Sequence, residues 1–294
     1  MTVEELVTKG IEELESANVP ESQLNAMYLL EYVTHIGRME YLLDKQRQVS
    51  PAEEEAYFSA IATRKKRIPL QHITGEQEFM GYTFLVNEHV LIPRQDTEIL
   101  VEEAAKLGKG GRILDMCTGS GCIILSLEQL CRPTYAMGVD VSLEALEVAR
   151  ENGRRMDSKV EWLHSDLFSE VTGTFDLIVS NPPYIEREGI PKLMEEVRCH
   201  EPNLALDGGE DGLDFYRNII ADSGAYLKPQ GYLCFEIGYN QGEAVSGLMK
   251  EAGFSNCQVI KDLAGLDRVV TGQWNRDMDN GRKISPQGVT GGEP

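Results

Sequence analysis

A chain of 294 residues that is 41% hydrophobic has material for one large domain or two modest ones, and its 26% charged content is ordinary for a soluble fold. The formal net charge of −20 argues against broad binding to a nucleic-acid backbone, which rewards clustered Lys and Arg. Six cysteines with no C-x-x-C pair and no signal peptide before them read as free thiols of a reducing cytoplasm; five scattered histidines lack metal-ligand spacing, and no apolar run approaches membrane-spanning length.

Residues 1–74 read as a small helical bundle that docks a partner. Thr2 with Glu5 forms a capping-box pattern, and Leu6, Ile11 and Leu14 supply an apolar stripe. A second helix is predicted over Ser22–Tyr32, with Leu24, Met27, Tyr28 and Leu30 as its apolar set. Ser50-Pro51 followed by Glu53, Glu54 and Glu55 reads as the start of a third: cap, proline at the first position, acids in the first turn. Arg64-Lys65-Lys66-Arg67 ends it, either as cations favoured by the helix dipole or as a phosphate-contacting patch.

Residues 75–93 change character. Gly75, Gly81 and Asn87 punctuate Phe79, Tyr82, Phe84, Val86, Val90 and Leu91, a β-hairpin pattern suited to bridging two domains. In the Ile92–Glu98 run that follows, Asp96 is placed to cap the next helix, and Arg94 either steadies a ligand pocket or pairs with an acid.

From about residue 99 helix and strand patterns alternate, as in a parallel sheet wrapped by helices. Arg112–Met116 is the first strand and runs into Cys117-Thr118-Gly119-Ser120-Gly121, with a helix from Cys122. Glycines at such a turn let backbone approach a ligand, although the full G-x-G-x-x-G fingerprint is absent. Tyr135–Val139 is the second strand and ends at Asp140, an acid about 20 residues past the turn, where a carboxylate can take both hydroxyls of a ribose. Val160–His164 is the third, followed by Asp166, which either accepts from an adenine amino group or caps a helix, and by Leu167, suited to covering the ring. Gly231–Ile237 is the fifth strand, flanked by helices over Asp214–Tyr226 and Gln241–Ala252, and Cys257–Lys261 and Arg268–Gly272 close the sheet. Residues 275–294 lack apolar periodicity and read as a disordered tail.

The fourth strand carries the chemistry. Five mostly apolar residues, Leu177 among them, read as a buried strand ahead of Asn181-Pro182-Pro183-Tyr184, where two prolines end the strand and hold Asn181 in extended geometry. Asn181 then stands at a strand carboxyl end, the usual ligand position in open α/β sheets. The Asn181 side chain and the Pro182 carbonyl offer acceptors, and Tyr184 adds a flat aromatic face. Together they suit a planar NH2 group: two acceptors take its hydrogens and the ring stacks on its plane.

Glycine turn, ribose acid, Ser165-Asp166 and Asn-Pro-Pro-Tyr in this order resemble the class I S-adenosylmethionine-dependent methyltransferases. Ile92–Glu98, Glu201–Leu213 and Phe235-Glu236-Ile237-Gly238 narrow the resemblance to the peptide chain release factor N5-glutamine methyltransferases, the PrmC/HemK family, from the N-terminus to about Trp274. The resemblance implies an α/β fold, Rossmann-like, with a seven-stranded mostly parallel sheet over residues 94–274, preceded by the helical bundle and the hairpin. It implies S-adenosyl-L-methionine as cofactor, bound by Asp115, Cys117, Thr118, Gly119, Ser120, Gly121, Asp140, Asp166, Leu167 and Asn181. It implies the Gly-Gly-Gln glutamine of bacterial class 1 release factors as substrate, gripped by Asn181, Pro182, Pro183 and Tyr184. Asn181, Pro182 and Tyr184 carry the catalytic role, by a monomer that needs neither nucleic acid nor metal. Two departures stand out: Cys117 replaces a usual glycine, and Gln95 a usual proline. A Cβ at 117 crowds the cofactor if the backbone there needs φ > 0; the thiol itself reads as buried and inert. The rival readings are a methyltransferase acting on DNA adenine or rRNA guanine, which calls for a cationic track, a non-catalytic scaffold, and a nicotinamide enzyme.

Overall fold

The computed structural model describes residues 1–275, so the tail expected from 275 lies outside the described residues except for Asn275. Helices α1 (Val3–Ser16), α2 (Ser22–Thr34), α3 (Arg38–Leu43), α4 (Pro51–Arg64) and α5 (Leu70–Thr74) come first. The predicted capping box of Thr2 with Glu5 forms, and the predicted cap Ser50 proves to be part of a second box with Glu53, with Pro51 at the first position of α4. Leu6, Leu14, Leu29, Leu30, Tyr57 and Ile61 make the small core. In α2 the buried face is Ala26, Leu29 and Leu30, whereas Leu24 and Tyr28 are exposed, so the predicted apolar set is turned by part of a helical turn. The short helices α3 and α5 escape a periodicity reading because neither spans two full turns.

The hairpin pairs β1 (Glu76–Phe79) with β2 (Tyr82–Leu85) across Met80-Gly81, both at positive φ, 52° and 77°. This is the left-handed two-residue turn that matches strand twist. Phe79 and Phe84 are buried in the larger core.

The remaining chain forms α6 (Gln95–Leu107), β3 (Arg112–Met116), α7 (Cys122–Cys131), β4 (Tyr135–Asp140), α8 (Leu143–Arg155), β5 (Glu161–His164) and β6 (Phe175–Ser180). It continues through α9 (Glu195–His200), α10 (Asp214–Tyr226), β7 (Leu227–Glu236), α11 (Gly242–Glu251), β8 (Phe254–Lys261) and β9 (Asp267–Trp274). The seven strands lie in the order β5-β4-β3-β6-β7-β9-β8, with β9 antiparallel to both neighbours and the other pairings parallel. Strand alternation sends successive residues to opposite faces. Leu114 and Ile178 join the cluster with Tyr216 and Ile219. Their neighbours Ile113 and Leu177 join the cluster with Leu100 and Ile124. Each predicted strand is found; β7 starts four residues earlier than the apolar run suggests, with a register shift against β6 between Phe175 and Leu177. The order reverses between β3 and β6, whose ends are level because Met116 pairs with Ser180. That switch point opens a crevice at the strand carboxyl ends.

Candidate active site

The crevice is lined on one side by Cys117, Thr118, Gly119, Ser120, Asp140, Asp166 and Leu167, and on the other by Arg94, Thr97, Asn181 and Pro183. The turn after β3 is shaped by its backbone. Cys117, Gly119 and Gly121 take φ of 61°, 54° and 79°. A Cβ added to Gly119 would meet nothing within 4 Å, so the turn faces open space there. The Gly119 N–H donates to Asp140 Oδ2 at 2.8 Å, and the Ser142 N–H donates to Asp140 Oδ1 at 2.9 Å. Burial raises the Asp140 carboxyl, and these backbone donors pull against it. Below the turn Asp115 is fully buried and accepts from the Thr118 hydroxyl at 2.6 Å. Its other oxygen has no hydrogen-bond partner among the described residues, and burial pushes this carboxyl up to about 7. Asn152 of α8 staples hairpin and turn together: Leu85 N–H donates to its Oδ1 at 2.7 Å, and its Nδ2 donates to the Leu85 and Ser120 carbonyls at 3.1 and 2.9 Å.

The opposite end is held by side chains. Asn181 Nδ2 donates to the Thr97 hydroxyl at 3.4 Å, and Thr97 is 2% exposed in the first turn of α6. The Tyr184 hydroxyl donates to Glu236 Oε1 at 3.3 Å. Gln241 Nε2 donates to the Tyr184 carbonyl at 3.0 Å and to the Gly212 carbonyl at 3.2 Å, while its Oε1 accepts from Gly238 N–H at 2.8 Å. The run from Glu201 to Leu213 braces the turn. Ile185 N–H donates to the Leu206 carbonyl at 3.0 Å, and Gly208 N–H to the Ile185 carbonyl at 2.9 Å. A Cβ at 208 would stand 2.7 Å from Tyr184 Cα, so only glycine permits this crossing.

Two relatives align with most of the sequence. A release factor glutamine methyltransferase of Clostridium acetobutylicum is 38% identical over 278 residues, covering 92% of this chain and 98% of the relative. One from Geobacter sulfurreducens is 40% identical over 262 residues, covering 88% and 92%. The chain belongs to the release factor glutamine methyltransferase family. Two family models agree with this: the PrmC N-terminal domain matches residues 5–75, and the methyltransferase small domain matches residues 94–210. A crystal structure of a methyltransferase from Pyrococcus furiosus superposes with a TM-score of 0.53 at 18% identity, covering 74% of this chain and 98% of that one, and shows the shared fold.

Within this family member the predicted site residues are not all placed alike. Asp115, Gly121, Pro182 and Tyr184 are absent from the lining of the crevice. Asp115 lies beneath the turn, and a Cβ at Gly121 would stand 2.7 Å from the Trp162 ring, so that glycine serves the packing of α7 against β5. Pro182 is buried, and Tyr184 is half-buried. Asp166 caps no helix, because a turn follows it; it is exposed at the crevice edge. Asp96 is not the cap of α6 either: the helix starts at Gln95 with Arg94 in the cap position, and Asp96 pairs with Arg268 at 3.2 Å. Gln95 thus stands at the first helical position, where a proline is favoured and glutamine is tolerated. Cys117 does need positive φ, and burial pushes its thiol well up, as expected of an inert one. All six cysteines are free.

Arg94 pairs with an acid, one of the two readings made of it, and also stands at the crevice. It lines the crevice, and its Nη2 donates to both oxygens of Glu201 at 2.6 and 2.7 Å. In the cation run at the end of α4, Arg64 and Arg67 form a clamp. Arg64 Nη2 donates to Glu196 Oε1 at 2.8 Å, and Arg67 donates to both Glu196 oxygens at 2.7 and 2.6 Å. Lys65 pairs with Glu13. Burial alone would raise Glu196; the hydrogen bonds from Arg67 and Arg64 outweigh it and hold the carboxyl at about 2. Glu196 and Glu201 thereby fix the segment whose continuation, Pro202, Leu204 and Ala205, walls the crevice.

Proposed function

We propose that this chain methylates the side-chain amide nitrogen of the glutamine in the Gly-Gly-Gln motif of bacterial class 1 release factors, with S-adenosyl-L-methionine as methyl donor. The observation that carries the reading is that Asp140 and Asn181 line one crevice. The residues present fit such a donor. Each Asp140 oxygen uses one lone pair on a backbone N–H and keeps another for a ribose hydroxyl. The space above Gly119 is open, and Asp166 and Leu167 stand at the edge suited to an adenine. When bound, this cofactor supplies a methyl group on an electrophilic sulfonium.

The amide nitrogen is a poor nucleophile because its lone pair is delocalised into the carbonyl. Neither His nor Cys adjoins Asn181–Tyr184 to act as a strong base. The work therefore falls to positioning. Asn181 Oδ1 and the Pro182 carbonyl accept the two amide hydrogens, and Tyr184 backs the amide plane. These acceptors face the positive charge that grows on nitrogen, so they favour the transition state over the ground state. The spare proton leaves to water afterwards. Incubation with purified release factor and radiolabelled methyl donor, followed by peptide mapping, tests the reading. One methyl group on the Gly-Gly-Gln glutamine is expected; label on tRNA or DNA with none on the factor overturns it.

A further inference from the structure

Glu236 ends β7 and is 2% exposed. Burying a carboxyl is costly unless it is well partnered. Here Oε1 receives the Tyr184 hydroxyl at 3.3 Å, and Oε2 has no partner among the described residues. Thr97 is among the groups that face this carboxyl, and its hydroxyl oxygen accepts from Asn181 Nδ2 at 3.4 Å, which leaves the hydroxyl hydrogen for the carboxylate. A threonine hydroxyl has one hydrogen. With that hydrogen committed to Glu236, Thr97 can only accept from Asn181. Asn181 must then turn its NH2 towards Thr97 and leave Oδ1 for whatever enters the crevice.

We infer that Glu236 is a positioning residue for amide methylation: through Thr97 it sets which edge of Asn181 meets the substrate, and through Tyr184 it fixes the far end of the same turn. The inference rests on the function proposed above. It identifies Glu236 and Thr97 as parts of the substrate clasp although neither need touch the transferred group. A glutamine at 236 fills the same space but carries its own NH2. Directed at Thr97, that NH2 reverses the hydroxyl, which then donates to Asn181 and flips its amide.

Protonation of Glu236 has the same consequence, because a neutral carboxyl can donate. The groups facing it are Thr97 and Asp96 from α6, Tyr184 after β6, Tyr216 from α10 and Arg268 from β9. Burial pushes the carboxyl up to about 7, against Thr97, Arg268 and Tyr184, with Asp96 adding to the rise. The clasp is therefore correctly set above about pH 7 and progressively lost below it.

The test uses the full chain and purified release factor, with kcat and KM for the factor measured across pH. Cofactor affinity is measured separately by calorimetry, and thermal melting is recorded for each variant. Glu236→Gln should lower kcat about 10- to 100-fold, with KM and cofactor affinity each within about threefold of wild type, and should lose the acidic limb of the kcat profile. Thr97→Val, similar in shape, should reproduce the loss; Thr97→Ser should recover most of it. Combining Glu236→Gln with Thr97→Val should cost little more than either alone, since both break one relay. Wild-type kcat and an unchanged acidic limb in Glu236→Gln would overturn the inference. So would two losses that multiply as if independent, or a kcat loss matched by loss of cofactor affinity. Should Glu236→Gln fail to fold, Thr97→Val with Thr97→Ser decides alone: full activity in Thr97→Val rejects the relay. A wild-type chain that leaves the factor unmethylated rejects the proposed function instead, so the two failures are distinguishable.

Discussion

At the glycine-turn end of the crevice, Gly119 and Ser142 present backbone N–H groups to Asp140, and three consecutive odd positions from 117 to 121 adopt left-handed backbone. At the Asn181 end, Thr97, Tyr184, Glu236 and Gln241 converge as side chains from α6, the turn after β6, β7 and the start of α11. The first end is one local loop plus one acid from the adjacent strand. The second is assembled from four places in the chain. A backbone-built site tolerates a changed side chain, which explains how Cys117 stands where a glycine is usual. A side-chain-built site has no such slack, because its hydroxyls and amides are committed to particular partners and a substitution leaves those partners buried and unmatched.

The contrast can be broken at either end. Asn181→Ala should have the largest effect, cutting turnover by at least about 100-fold while cofactor affinity changes far less, since it removes an acceptor aimed at developing charge. Steady-state kinetics beside calorimetry would show it, and near-normal turnover in a folded variant would place the amide elsewhere. Asp140→Asn should weaken cofactor binding about 10- to 100-fold, the usual range for hydrogen bonds to a charged group. A loss confined to kcat would mean that Asp140 acts on chemistry and that the ends are less distinct than their construction suggests.

Asp115→Asn sharpens the picture beneath the turn. In the folded chain this carboxyl is raised to about 7 from an ordinary 3.8, so between those values the native state keeps a proton that the unfolded chain has lost. Stability therefore falls as pH rises through that window, by up to about 1.4 kcal/mol per pH unit from this one group. Asparagine should remove that slope in urea unfolding followed at several pH values; an unchanged slope would show that Asp115 ionises freely. The smallest effect belongs to Cys117→Gly, expected to shift stability by less than about 1 kcal/mol. Relief of the left-handed backbone is opposed by the greater freedom of glycine in the unfolded chain. A destabilisation of several kcal/mol would show that the Cys117 side chain, and not the backbone, shapes the turn.

The same division explains what could be read from the chain alone. The glycine turn, Asp140 and the strands around them are contiguous signals: a short apolar run, then glycines, then an acid at the next strand tip. The boundaries of β3 and β4 were legible for that reason. Thr97 and Glu236 lay inside stretches that carried the family resemblance, yet no role could be assigned to them, because Thr97 meets Asn181 across 84 residues and Tyr184 meets Glu236 across 52. Asn152 and Gln241 were invisible for the same reason; an asparagine inside a helix carries no mark of the hairpin and turn that it joins. Asp96 misled because an acid near a helix start suits the cap and the first turn equally, and only tertiary pairing with Arg268 separates the two.

The meeting of Arg64 and Arg67 with Glu196 has a practical bearing on how this molecule can be divided. Glu196 is 5% exposed and its two counter-charges come from the end of α4 and the turn after it, 132 and 129 residues away. A shortened polypeptide starting at the hairpin would lose both of these partners and open to water the side of Glu196 that they cover. Removing the leader would thus loosen the very segment that continues into Pro202 and Leu204. Dissection into separately expressed halves should yield a poorly behaved transferase half, and heating should melt both parts in a single step.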